Sequence, residues 1–177
     1  KDGNWQTIIG RGLKGNTLGI LGLGKQGLQV AGYAKAFGMK VIAWSHNLKQ
    51  EDCEKVGVKY VSSSDLFKMS DILTIHTRLS DRTKGYIDKN NLRLMKKEAV
   101  VVNTSRGPII NEQDLIDALN NKVISFAALD VYDQEPLPSE HILRRTKNVI
   151  LTPHIGYVSV EAYEKFFNGY FDAIKAF

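Results

Sequence analysis

Cysteine is all but missing: Cys53 is the only one among 177 residues. Without a partner there is no disulfide framework, and with no Cys or His at ligand spacing around it there is no zinc motif. Proline is scarce as well, at four residues, and no internal repeat, linker or low-complexity tract interrupts the chain. No apolar run approaches the ~18 residues that a membrane helix needs, and no charged-then-apolar leader opens the sequence. Blocks of one charge are lacking too. The net charge of +5 is spread in nothing longer than pairs such as Lys96-Lys97 and Arg144-Arg145, the pattern of a solvated surface rather than a nucleic-acid face.

What remains is the composition of a globular domain, 43% apolar and 24% charged. A chain of this size buries about 70% of its unfolded surface, so its core needs no covalent staples. A reducing cytoplasm suits its lone thiol. The chain opens at Lys1 with a polar, Gly-rich lead, which sets the expectation of a segment cut from something longer.

Short apolar runs bounded by Gly, Asn, Asp and Ser alternate with amphipathic stretches. The runs predict strands over 17–23, 40–45, 59–61, 71–76, 99–104, 125–131 and 148–152. Most, like Ala99-Val100-Val101-Val102, are apolar on both faces, as in parallel sheets covered by helices. Helices are predicted over 26–37, 48–56, 64–69, 91–95, 111–121 and 160–176. Asn111-Glu112-Gln113-Asp114 supplies a cap followed by acids, and Ser63-Ser64-Asp65 precedes an apolar turn. The alternation predicts a doubly wound α/β domain of about seven parallel strands with helices on both faces. In such a Rossmann architecture, ligands sit beyond the carboxyl ends of the strands.

The first strand runs through Gly22-Leu23-Gly24-Lys25-Gln26-Gly27 straight into a helix, the context that a dinucleotide fingerprint requires. Gly22 permits the tight turn, Gly24 lets backbone approach a pyrophosphate, and Gly27 lets the helix pack close to the strand. Gly19, earlier in the strand, reads as a packing position. At the end of the second strand, where an acid would meet the adenosine ribose, the chain has Ser45-His46-Asn47 with Lys49 close by. The repulsion that an acid directs at a 2′-phosphate is therefore absent, and both NAD and NADP stay open. His46 reads equally well as a surface loop residue.

Three further residues fall just past later strands: Arg106 after the fifth, Glu135 after the sixth and His154 after the seventh. A guanidinium binds a carboxylate bidentately, and an imidazole can exchange a proton with a carbonyl or hydroxyl oxygen. A carboxylate beside an imidazole fixes its tautomer and stabilises the imidazolium. With a nicotinamide, the set reduces a 2-keto acid. His76 ends the fourth strand, where its backbone can line the cleft, and His141 falls in a polar loop and reads as incidental.

The glycine turn, Asn103-Thr104-Ser105-Arg106-Gly107, Ala128-Leu129-Asp130-Val131 leading to Glu135-Pro136, and Thr152-Pro153-His154-Ile155-Gly156 follow one another in an order and spacing that resemble the D-isomer-specific 2-hydroxyacid dehydrogenase family. The resemblance covers nearly the whole chain. It implies an NAD(P)-dependent interconversion of a small D-2-hydroxy acid and its 2-keto acid. Arg106 would bind the substrate carboxylate, His154 would be the general acid or base, and Glu135 would pair with it. Gly22 and Gly27 would shape the cofactor turn, Gly24, Lys25 and Gln26 would meet the pyrophosphate, and Ser45 the ribose. Thr77, Thr83, Thr104 and Ser105 would lie along the cofactor, Asp130 would accept from the nicotinamide carboxamide, and Gly156 would close the far side.

The same resemblance implies a homodimer and a division of the chain. Residues 1–16, with Trp5 and Gly15, would cross between domains, 17–158 would form the dinucleotide-binding body, and 159–177 would return toward a substrate domain. Ser45 departs from the acid common in NAD-preferring members. An NAD(H)-sensing module of corepressor type, without turnover, is the alternative. A methyltransferase-type glycine loop leaves Arg106, Glu135 and His154 unexplained.

Overall fold

A computed structural model describes residues 10–177; the first part of the expected interdomain lead, Trp5 included, lies outside the described residues. Seven parallel strands make one sheet in the order β3-β2-β1-β4-β5-β6-β7. They are β1 Thr17–Leu21, β2 Lys40–Trp44, β3 Lys59–Tyr60, β4 Ile72–Ile75, β5 Val100–Asn103, β6 Phe126–Leu129 and β7 Val149–Leu151. The helices are α1 Lys25–Ala36, α2 Gln50–Glu54, α3 Ser63–Met69, α4 Lys89–Leu94, α5 Glu112–Asn120 and α6 Val160–Lys175. Each predicted strand and helix is present. The strands stop one or two residues short of the apolar runs, because those last residues belong to the turns.

Period-two alternation divides the core between the two sheet faces. Leu21, Ile42, Leu73, Ile75 and Val101 face α3, α4 and α5, whose Phe67, Leu92 and Leu115 are buried among them. Leu18, Ile20, Val41 and Ala43 point the other way, onto Ala31 and Ala34 of α1 and the buried Cys53 of α2. Gly19 is the packing position that the sequence indicates, since a Cβ there would stand 1.9 Å from the Ser70 hydroxyl.

The capping signals are realised with one shift. Asn111 accepts from the Asp114 N–H as expected, whereas Ser62 rather than Ser63 caps α3 through the Asp65 N–H. Two single turns of 3₁₀ helix, Gly107–Ile109 and Ile142–Arg144, lie outside the predicted helices. The last helix, α6, has no buried residue and displays Phe166, Phe167, Tyr170 and Phe171. Among the described residues, no helix is long and apolar enough to cross a membrane.

The chain reverses direction across the sheet between β1, which pairs with β2 on one side, and β4 on the other. That reversal opens a crevice at the carboxyl ends of these strands.

Candidate active site

The glycine turn is built by contacts that exclude side chains. Gly22 has φ +99, and a Cβ there would lie 2.7 Å from the Thr77 N. At Gly27 a Cβ would lie 2.3 Å from the Gly22 carbonyl oxygen, so only glycine lets α1 start this close to β1. Gly24 differs: a Cβ there meets nothing within 4 Å. The protein itself does not need glycine at that position, while a ligand lying over the turn would.

Gly24 also stands as the N-cap of α1 with no side chain bonded to the first turn. The amide N–H groups of that turn are left to whatever the crevice holds, and the helix dipole favours an anion there. Gly24, Lys25 and Gln26 are all exposed. Ser45 follows β2 beside this turn, since the Gly22 N–H donates to the carbonyl of Trp44 at 3.0 Å. His46 is exposed and sets its ring 4.9 Å from Trp44 and 5.2 Å from Tyr86. These features fit a dinucleotide lying from the glycine turn toward β2.

Across the crevice, the segment after β5 presents Arg106. The buried Asn103 shapes it, accepting from the Ser105 N–H at 3.0 Å and donating to the Arg106 carbonyl at 2.9 Å. The Ser105 hydroxyl donates to the Thr77 carbonyl at 2.6 Å, tying the β5 turn to the β4 turn. Gly107 is obligatory, because a Cβ there would fall 2.1 Å from the Tyr132 carbonyl carbon. Arg106 turns one N–H to the Ser105 carbonyl and, among the described residues, is otherwise open.

Glu135 and His154 meet: Glu135 Oε2 lies 2.6 Å from His154 Nδ1, and each side chain is about 35% exposed. The other carboxylate oxygen of Glu135 accepts from the Tyr132 N–H at 3.0 Å. Desolvation pushes the Glu135 carboxyl upward, but the bonds from His154 and Tyr132, with the charges of His154 and Arg106, outweigh it and hold the group below its ordinary value. With Nδ1 engaged, Nε2 is the nitrogen free for a substrate.

His154 adopts φ +54, a left-handed conformation unusual outside glycine, in a turn anchored by Asp130. The Asp130 carboxylate accepts from the Thr152 hydroxyl at 2.5 Å and from the Ile155 and Gly156 N–H groups at 2.9 Å each. Those bonds outweigh its desolvation and leave it below the usual carboxylate range. Asp130 therefore braces the turn that carries His154 and Gly156.

One cleft of about 560 Å³ gathers Gln26, Thr104, Arg106, Asp130, His154 and Gly156 on its walls. A neighbouring polar cleft of about 460 Å³ shares Gln26, Thr104 and Arg106 and adds Thr77 and Ser105. A mainly apolar cavity of about 600 Å³, walled by Pro136, Leu137, Leu151 and Pro153, holds Glu135 and shares His154 with the first cleft, but does not reach Arg106.

Thr83 departs from expectation. It is buried, and its hydroxyl accepts from the Ser80 N–H at 2.8 Å and donates to the Arg78 carbonyl at 2.7 Å, so it braces its own turn rather than facing the cleft. His76 lines both clefts with its ring held 2.9 Å from the Thr74 hydroxyl, and burial lowers its pKa. His141, though in a polar loop, has a partner: its Nε2 lies 3.1 Å from Oε1 of Glu112, the first residue of α5.

Arg78 and Tyr157 also line the clefts and were missed by the sequence reading. Nothing in the spacing marks Arg78. Asn103, a lone amide closing an apolar strand three residues before Arg106, was a legible signal.

Residues 1–156 match the family model described as "D-isomer specific 2-hydroxyacid dehydrogenase, NAD binding domain". A glyoxylate reductase of Aeropyrum pernix is 47% identical over 147 residues, which is 83% of this chain and 44% of that protein. A glyoxylate reductase of Thermococcus litoralis is 44% identical over 157 residues, 89% of this chain and 47% of that protein. Among solved structures, a putative D-3-phosphoglycerate dehydrogenase from Ralstonia solanacearum superposes with a TM-score of 0.89 at 43% identity, covering 95% of this chain and 51% of that one. The chain spans about half the length of the relatives it matches.

Proposed function

The chain belongs to the NAD-binding domain of the D-isomer specific 2-hydroxyacid dehydrogenases, and on that premise we propose that it supplies the cofactor site and the acid–base pair of an enzyme interconverting a small D-2-hydroxy acid and its 2-keto acid. The observation that supports this reading is the Glu135–His154 pair, 2.6 Å apart, with His154 lining one cleft together with the exposed Arg106.

The glycine turn with Lys25 and Gln26 would hold the pyrophosphate and Ser45 the ribose, with Thr77, Thr104 and Ser105 along the cofactor. Asp130 and Gly156 would face its nicotinamide end. A bound nicotinamide dinucleotide would supply the hydride to C2 of the keto acid, or accept it from the hydroxy acid. The chain's own residues do the rest. Arg106 binds the carboxylate through its planar fork and fixes the C2 oxygen toward His154. His154 gives a proton from Nε2 to that oxygen in reduction and removes it in oxidation. Glu135, held below its ordinary value and bonded to Nδ1, accepts the Nδ1 proton, which fixes the tautomer that leaves Nε2 to exchange a proton with substrate, and it stabilises the imidazolium when Nε2 is protonated.

A homodimer, a cytoplasmic setting, and the division into 1–16, 17–158 and 159–177 belong to the same proposal. The relatives above are named as a reductase or a dehydrogenase, and none of those names points to the sensing alternative.

Calorimetric titration of the chain with NADH and with NADPH tests the cofactor site; no binding of either at millimolar concentration overturns it. In the complete polypeptide, His154→Ala is expected to lower turnover by ~10² to 10⁴ with NADH affinity unchanged. Turnover at the wild-type rate would remove His154 from the chemistry.

A further inference from the structure

Glu135 rides on a long connection between β6 and β7, residues 130–148. Such a segment is free to drift unless something outside it holds it. Within the connection, Arg144 donates to the carbonyls of Leu137 and Pro138 at 2.7 and 2.8 Å, and the His141 N–H donates to the Pro138 carbonyl at 3.1 Å. These bonds make 137–145 one unit directly after Glu135-Pro136. Among the described residues, the only side-chain hydrogen bond or ion pair from 136–147 to another element is that of His141 with Glu112, the first residue of α5.

The His141 ring is held at both nitrogens. Its Nδ1 accepts from the Leu143 N–H at 3.3 Å, which places the ring proton on Nε2, and Nε2 lies 3.1 Å from Glu112 Oε1. The neutral imidazole is therefore a sufficient donor to the carboxylate. Both side chains are about four-fifths covered, at 20% and 21% exposure. Burial raises the Glu112 carboxyl and the Asp133 charge adds to the rise, while His141 and the Asp133 backbone N–H oppose it. Lys84, from the turn after β4, faces Asp133. The anchor itself is firm, because α5 sinks Leu115, Ile116 and Leu119 into the core and Leu143 is buried beside it.

We propose that Glu112 and His141 are positioning residues: their bond ties the β6–β7 connection to α5 and so keeps Glu135 seated on the Tyr132 N–H and His154 Nδ1. The proposal rests on the reading of Glu135 and His154 as the acid–base pair.

The test follows the Glu135 carboxyl through its acid titration by ¹³C NMR in this chain, alongside NADH affinity. Three variants separate the roles of His141. His141→Asn keeps an acceptor for the Leu143 N–H but is too short to reach Glu112; His141→Gln reaches it with an amide N–H; Glu112→Ala removes the partner. Loss of the tie is expected to move the Glu135 titration upward toward the ordinary carboxylate range in His141→Asn and Glu112→Ala. The double variant should move it no further, and His141→Gln should restore it, with NADH affinity unchanged throughout. A wild-type Glu135 titration in His141→Asn shows that capping the 3₁₀ turn is all His141 does, and overturns the proposal. Because that signal needs neither cofactor nor turnover, failure of the tie stays distinguishable from failure of NADH to bind.

Discussion

The two walls of the crevice are made in opposite ways. On the β1–α1 side the architecture is backbone against backbone: Gly22 and Gly27 leave room for main-chain atoms that any Cβ would strike, and no side chain caps α1. On the β5–β7 side it is side chain into backbone: Asn103, Asp130 and Glu135 each bind main-chain N–H groups of the turn they shape. The first wall is specified by what is missing from it, the second by carboxylates and amides that must be present. Under the proposed function, the first wall would offer bare amides to the cofactor's anion, and the second would fix the direction of a few reactive atoms.

The largest expected effect breaks the first wall. Gly27→Val places carbon within 2.3 Å of the Gly22 carbonyl oxygen, so the turn must open, at a cost of roughly 3 kcal/mol or more. Gly24→Val sharpens the comparison, since its side chain enters open space: thermal unfolding should stay near wild type while NADH binding is lost. A Gly24→Val protein that still binds NADH would show that the cofactor does not cross this turn.

On the second wall, Asp130→Asn turns an amide donor toward N–H groups that now meet a carboxylate, and should cost about 1.5–3 kcal/mol in urea unfolding. The sign of the pH effect follows from the same bonds. Asp130 and Glu135 hold protons less readily folded than unfolded, so their contribution is present above the unfolded carboxylate value of about 4 and is lost as pH falls through the folded ones. Stability measured between neutral and acid pH should show a shallower loss in Asp130→Asn than in wild type. The smallest effect belongs to Ser45→Asp, expected to leave the melting temperature alone and shift binding toward NADH by repelling a 2′-phosphate. An unchanged NADPH to NADH affinity ratio would take Ser45 out of the ribose site.

Contacts local in sequence were legible. Strands, helices and the Asn111 cap follow from neighbours within a turn or from alternation along a strand, and the glycine turn is legible as a motif although the partners that require Gly19 and Gly22, Ser70 and Thr77, lie far along the chain. Long-range partners were not. Nothing near His141 in sequence announces Glu112, 29 positions away, and a His in a polar loop reads as solvent-exposed until the fold closes over it. Thr83 failed for the converse reason: its partners, Ser80 and Arg78, lie within its own turn. A resemblance that assigns a residue to a cofactor cannot see that turn. Gly107 needed the position of Tyr132 to explain it.

The sheet also tapers. Its inner strands run four or five residues, while β3 and β7 at the edges contribute two and three. An edge that short leaves few unpaired main-chain groups for a foreign strand to zip onto, so the domain is guarded against growing into ribbons of stacked copies.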